Sequence, residues 1–123
     1  MINFAYKDSY EFDDLVKLMA ILRAECPWDR EQTHASIRQN LLEEAYEVCE
    51  GIDTDDPAIL REELGDLLLQ ILFHAKIEEE RGRFTLGEVF TELEEKLIPV
   101  MQELRSLGMT EDEWQNLWKG EEN

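Results

Sequence analysis

A chain of 123 residues is about one domain long, and a 43% hydrophobic content is enough for a packed core. The net charge of −18 and an isoelectric point near 4.3 exclude DNA, RNA and anionic membrane surfaces as partners, since each needs a basic face. A small phosphorylated ligand stays admissible if a divalent cation bridges it to the protein.

Cys26 and Cys49 are isolated, so neither a disulfide framework nor a zinc site is read from them. The stretch "MINFAYKDSYEFDD" has no basic region followed by an apolar run, so the cytoplasm is the expected location. No apolar run is long enough to span a membrane.

The spacing predicts an all-α chain, a four-helix-bundle-like single domain over 1–123 with its core at about 10–98. A first helix is expected over 10–25, with Phe12, Leu15, Leu18, Met19 and Leu22 on one face. "CPWDREQT" reads as a loop broken by Pro27. A second helix covers 34–53, and either Asp29 or Thr33 is a candidate cap for it. Asp56 and Pro57 match the N-cap and first residue of a third helix, which ends at Gly82. Thr85 and Glu88 match a capping box opening a fourth helix, which Pro99 either kinks or stops. Thr110 and Glu113 match another, opening a tail helix over about 110–119 that Trp114 and Trp118 would pack.

"LLEEAYEVCEG" places Glu43, Glu44 and Glu47 within one and a half turns, where like charges repel. Ile37, Leu41, Ala45, Val48 and Ile52 form the apolar stripe of that helix, widened by Leu42 and Cys49. Glu44 falls on the edge of the stripe, Glu47 borders the core, and Glu43 lies further out. The third helix is apolar on nearly every side, the mark of a buried helix. Its polar residues Glu63, Asp66, Gln70 and His74 nevertheless align as one seam. Read alone, that seam is a solvent-facing edge. Read against Glu44 and Glu47 on a neighbouring helix, it becomes half of a carboxylate cluster that stays charged only around a cation. Oxygen ligands without Cys or His favour a hard cation, Mg²⁺ or Mn²⁺.

"CPWDREQTHASIRQNLLEEAYEV" (26–48), "REELGDLLLQILFHAKIEEERGRF" (61–84) and "EKLI" (95–98) resemble the MazG family of nucleoside triphosphate pyrophosphohydrolases. The family signature, EExxE followed by ExxD, stands here as Glu43-Glu44-x-x-Glu47 and Glu63-x-x-Asp66. The resemblance implies an all-α fold and Mg²⁺-dependent hydrolysis of an NTP or dNTP to the monophosphate and pyrophosphate. It makes Glu44, Glu47, Glu63 and Asp66 the metal ligands, with Glu43 or Glu44 as base. Asp29, Gln32 and Thr33 resemble positions near the nucleotide, and Trp28 is either a ring that stacks on a base or an aromatic that anchors core or loop. Arg38 and Lys96 are candidate phosphate contacts, and His74 is a candidate on the polar seam.

This chain departs from the family where "KLIPVMQELRSLG" replaces a basic RHPHVF-type stretch, with Arg105 a candidate substitute. The alternative is therefore a degenerate helical module that binds nucleotide or metal without hydrolysis. A ferritin-like di-iron site is disfavoured, because Glu31-x-x-His34 is the only ExxH and that site needs two. The all-round apolarity of the third helix predicts a homodimer or homotetramer, as the resemblance also implies.

Overall fold

The computed structural model describes residues 6–121, the side chains of 118, 120 and 121 excepted. The described residues contain six helices and no strand: α1 Phe12–Glu25, α2 Pro27–Glu31, α3 His34–Asp53, α4 Pro57–Glu80, α5 Leu86–Ser106 and α6 Glu111–Glu121. They fall into two compact units, residues 1–86 and 87–123.

In the first unit α3 and α4 form an antiparallel hairpin. Along it Gly51 meets Leu60, Glu47 meets Glu63, Glu44 meets Asp66, and His34 meets His74. The turn is encoded locally. Asp56 caps α4 by accepting from the backbone N–H groups of Ala58 and Ile59, and Pro57 occupies the first helical position, where no intrahelical donor is needed. Gly51 is the point of closest approach. A Cβ there would lie 3.1 Å from Leu60 Cα, so a side chain would push the two helices apart. The other end of α4 closes with a Schellman motif. Gly82 takes φ +70°, Gly82 N–H bonds Glu79 O, and Arg83 N–H bonds Glu78 O.

Met19 of α1, Ile37 of α3, and Phe73 and Ile77 of α4 make the buried core, with Leu72 and Ala75 alongside. Burying each large side chain contributes about 1.5–3 kcal/mol. That core lies far from the turn, so the carboxylates sit between it and the turn.

Several expectations are corrected. "CPWDREQT" is not all loop: Pro27–Glu31 forms a short helix, because Pro27 supplies a helical φ at the first position instead of breaking the chain. The first helix starts at Phe12, and Phe12 and Leu15 are exposed instead of packed. Within the α3 stripe, Ile37 is buried and Leu41 and Val48 are half-buried. Leu42, Ala45, Cys49 and Ile52 are exposed, because only one edge of α3 meets α4. On α4 the seam faces inward and the greasy side faces out: Leu64, Leu68, Leu69 and Ile71 are each 41–48% exposed.

The second unit is described by itself. α5 runs without a break through Pro99. Gly108 turns the chain at φ +120°, and Thr110 Oγ1 accepts from Glu113 N–H to cap α6. Arg105 pairs with Glu111 and lies 5.4 Å over the Trp114 ring. Trp118 lies outside the described side chains.

Candidate active site

Helical phase separates the three glutamates of α3. Glu43 is exposed and takes a 3.4 Å bond from Gln39, whereas Glu44 and Glu47 are half-buried. Across the hairpin, one carboxylate oxygen from each of Glu44, Glu63 and Asp66 lies within 4.8 Å of the others. Glu44 Oε2 and Glu63 Oε2 are buried with no hydrogen-bond partner. Glu47 faces the same cluster. Its carboxyl beside Glu63, with burial and Glu44 adding to it, pushes Glu63 up to about 7. Burial first, then the neighbouring charges of Glu47 and Asp66, also pushes Glu44 up.

An unpaired buried carboxylate oxygen is costly, and here there are two. Carboxyls crowded together in this way match the donor set of an oxygen-preferring divalent cation. Four of the five acidic residues of the two motifs are thus brought together, three with carboxylate oxygens within 4.8 Å of one another and Glu47 against Glu63, while Glu43 stays outside.

The other expected site residues are spread more widely. Trp28 is 58% exposed on α2, its ring edge-on to Phe73 at 6.5 Å. Gln32 is committed at both ends of its amide: Nε2 donates to Trp28 O and Oε1 accepts from Ser36 Oγ. Of the two cap candidates, Thr33 is the one that caps α3, accepting from Ser36 N–H. Asp29 is half-buried, and its carbonyl accepts from Arg23. Arg38 is exposed on α3. Lys96 and Arg105 belong to the second unit, where Arg105 already serves Glu111 and Trp114.

Two networks escaped the sequence reading. In the first, the Arg23 guanidinium donates to the carbonyls of Asp29 and Gln32 at 2.5 and 2.7 Å. It also pairs with Glu80 and lies 5.7 Å over Phe73. It therefore ties α1, the α2 segment and α4 together. In the second, the His34 and His74 rings lie parallel and edge to edge, centroids 4.9 Å and Nδ1 atoms 2.6 Å apart, and His34 Nε2 lies 2.5 Å from buried Glu78. One further step of four along the seam from His74 would have reached Glu78. No local pattern pointed to Arg23, whose partners come from the α2 segment and α4.

Helices that present a half-buried carboxylate cluster across a hairpin define an all-α protein with a donor set that could hold a divalent cation. The MazG nucleotide pyrophosphohydrolase domain matches residues 32–103, and this chain belongs to the MazG family. It is 51% identical over 89 residues to the nucleoside triphosphate pyrophosphohydrolase/pyrophosphatase MazG of Thermotoga maritima, covering 71% of this chain and 35% of that protein. The nucleoside triphosphate pyrophosphohydrolase of Escherichia coli K12 is 43% identical over 90 residues, 71% of this chain and 34% of that one. The uncharacterized YabN of Bacillus subtilis is 38% identical over 122 residues, 93% of this chain and 25% of that one. The chain thus spans between a quarter and about a third of the length of these relatives. Among the described residues, no helix is long and apolar enough to cross a membrane.

Proposed function

We propose that this chain hydrolyses nucleoside triphosphates, ribo or deoxy, to the monophosphate and pyrophosphate in a Mg²⁺-dependent reaction that Mn²⁺ also supports. The observation that carries the reading is the Glu44–Glu63–Asp66 cluster with its two bare buried oxygens, in a domain of the MazG family. The relatives' names, nucleoside triphosphate pyrophosphohydrolase, supply the reaction.

Glu44, Glu63 and Asp66 would hold the cation, and Glu47 would complete the set from beside Glu63. When bound, a divalent cation supplies Lewis-acid polarisation and neutralises charge on the polyphosphate. The carboxylates orient the attacking water toward phosphorus. Proton abstraction is assigned to Glu43 or Glu44, of which Glu43 is the one outside the cluster and exposed beside it. Trp28 offers an exposed aromatic face for a base.

The chain works as a homodimer or homotetramer in this proposal. The bare apolar face of α4, Leu64, Leu68, Leu69 and Ile71, supports it.

A panel of NTPs and dNTPs with Mg²⁺, with pyrophosphate and monophosphate quantified, tests the activity. Glu63→Gln and Asp66→Asn are expected to lower kcat/KM by about 10²–10³-fold, the cost of removing one group that stabilises developing charge. Absence of turnover with every nucleotide, together with Mg²⁺ binding unchanged in Glu44→Ala, would sink the reading and leave a binding module. Release of single phosphate would move the cleaved bond.

A further inference from the structure

α2 is five residues long, too short to hold its own geometry in water, so its placement depends on what it is tied to. Arg23, on α1, supplies a tie. Its side chain is only 11% exposed, and one nitrogen, Nη1, donates to the carbonyls of Asp29 and Gln32 at 2.5 and 2.7 Å. Those carbonyls lie at the C-terminal end of α2, where backbone acceptors lack intrahelical partners and a positive charge is favoured. Nε of the same fork pairs with Glu80 of α4 at 2.8 Å, so the guanidinium cannot turn without giving up one link or the other.

Trp28 rides on this segment, one residue before the Asp29 carbonyl that Arg23 holds. Both side chains also rest on one ring. The Arg23 guanidinium lies 5.7 Å over Phe73, and the indole stands 6.5 Å from it, nearly perpendicular. Trp28 stays exposed even so. Phe73 follows Asp66 by seven residues, which is two turns and about 10 Å along α4, within about 20° of the same face. The exposed ring therefore stands over the face of α4 that carries the carboxylates, at a separation a nucleotide spans between its phosphates and its base. A ring already held in place binds without the entropy cost of ordering a loose segment.

We propose that Arg23 is a positioning residue for nucleotide binding: by bridging the Asp29 and Gln32 carbonyls it holds Trp28 in place as the platform for the base. The inference rests on the nucleotide reading above, and its test separates the two.

Kinetics with ATP and Mg²⁺ are compared for wild type, Trp28→Ala, Arg23→Ala and the double variant, at a temperature where circular dichroism shows each one folded. Losing the stacked ring should raise KM about 10-fold or more with kcat little changed, the mark of a contact made equally in ground and transition state. Arg23→Ala should raise KM in the same way, and the double variant should be no worse than Trp28→Ala alone, because Arg23 acts through that ring. Glu80→Gln loses the ion pair but keeps the two carbonyl bonds, so its KM should stay near the wild-type value.

An Arg23 that served stability alone would lower the folded fraction and so kcat, leave KM unmoved, and add to the effect of Trp28→Ala. The proposal is overturned by that pattern, by an unchanged KM in Trp28→Ala, or by a Glu80→Gln variant as impaired in KM as Arg23→Ala. If Arg23→Ala does not fold, Arg23→Lys takes its place, since it keeps a charge beside Glu80 without the planar fork, and the same rise in KM is expected. If no nucleotide is turned over, the activity reading fails separately. The comparison is then made on the Kd for ATP with Mg²⁺, where equal values for wild type and Arg23→Ala, or no binding by wild type, overturn the proposal. The wild-type Trp28 indole resonance must also move on adding ATP with Mg²⁺, and an unmoved resonance overturns the proposal with no variant required.

Discussion

The carboxyls of Glu47 and Glu63 face each other across the α3–α4 hairpin, and Glu47 is the largest reason that Glu63 keeps its proton up to about pH 7. The pair stores an electrostatic penalty in the metal-free protein, and a cation is what relieves it.

The sign of the resulting pH dependence follows. The folded value of Glu63 is about 7 against an ordinary 4.5, so between those values the folded chain binds more protons than the unfolded one. Its contribution to stability falls as pH rises through that window, and the penalty is complete above pH 7. Thermal melts of metal-free protein should therefore show Tm declining from pH 5 to pH 8. Glu63→Gln should flatten that decline, and millimolar Mg²⁺ should raise Tm most at pH 8. Equal slopes for wild type and Glu63→Gln would contradict the electrostatic account. Glu78 acts in the opposite sense: its depressed value stabilises the fold above pH 4.5, and that stability is lost as pH falls toward 2.

Gly51→Ala tests how tightly the hairpin closes. The added Cβ meets the Leu60 backbone at 3.1–3.2 Å, and backbone cannot swing aside as a side chain would. Urea denaturation should show a loss of about 1–3 kcal/mol, the usual cost of overpacking. Mg²⁺ affinity should fall as well, because Glu47 and Glu63 sit one turn further along the same interface. Unchanged stability would mean the helices separate there without cost.

Arg23→Ala removes the donor shared by two carbonyls of the α2 segment and the partner of Glu80. Part-buried carbonyls left without a donor cost about 1–3 kcal/mol. A shift in Trp28 emission should accompany the loss, since α2 carries that ring against Phe73. Arg23→Lys should not rescue, because an ammonium cannot reproduce the planar fork.

Light scattering at micromolar concentration is expected to show a dimer or tetramer, and Leu68→Glu should shift it to a smaller species. Leu68 is 41% exposed on the apolar face of α4, and a buried unpaired charge is not tolerated at such an interface. A wild-type monomer would overturn the assembly and leave that face without a partner.

Sequence alone determined what depends on local spacing. Helical phase sorted Glu43 outward from Glu44 and Glu47, and the structure leaves Glu43 exposed with the other two half-buried. Asp56, Pro57 and Gly82 marked the ends of α4 because caps and left-handed turns are set by one or two residues. The two acidic motifs were legible for the same reason, each lying within one or two turns of a single helix.

Tertiary structure decided what depends on register between segments. Only the hairpin, with Gly51 fixing its closest approach, showed that Glu44, Glu63 and Asp66 form the close trio while Glu47 acts through Glu63. His34 and His74 are 40 residues apart, so no pattern along the chain could place one ring beside the other. Arg23, on α1, gains its role from partners on two other segments. The inward seam and outward leucines of α4 likewise emerged only once α3 took one side of that helix, since a helix apolar all round does not say which face its neighbour will cover.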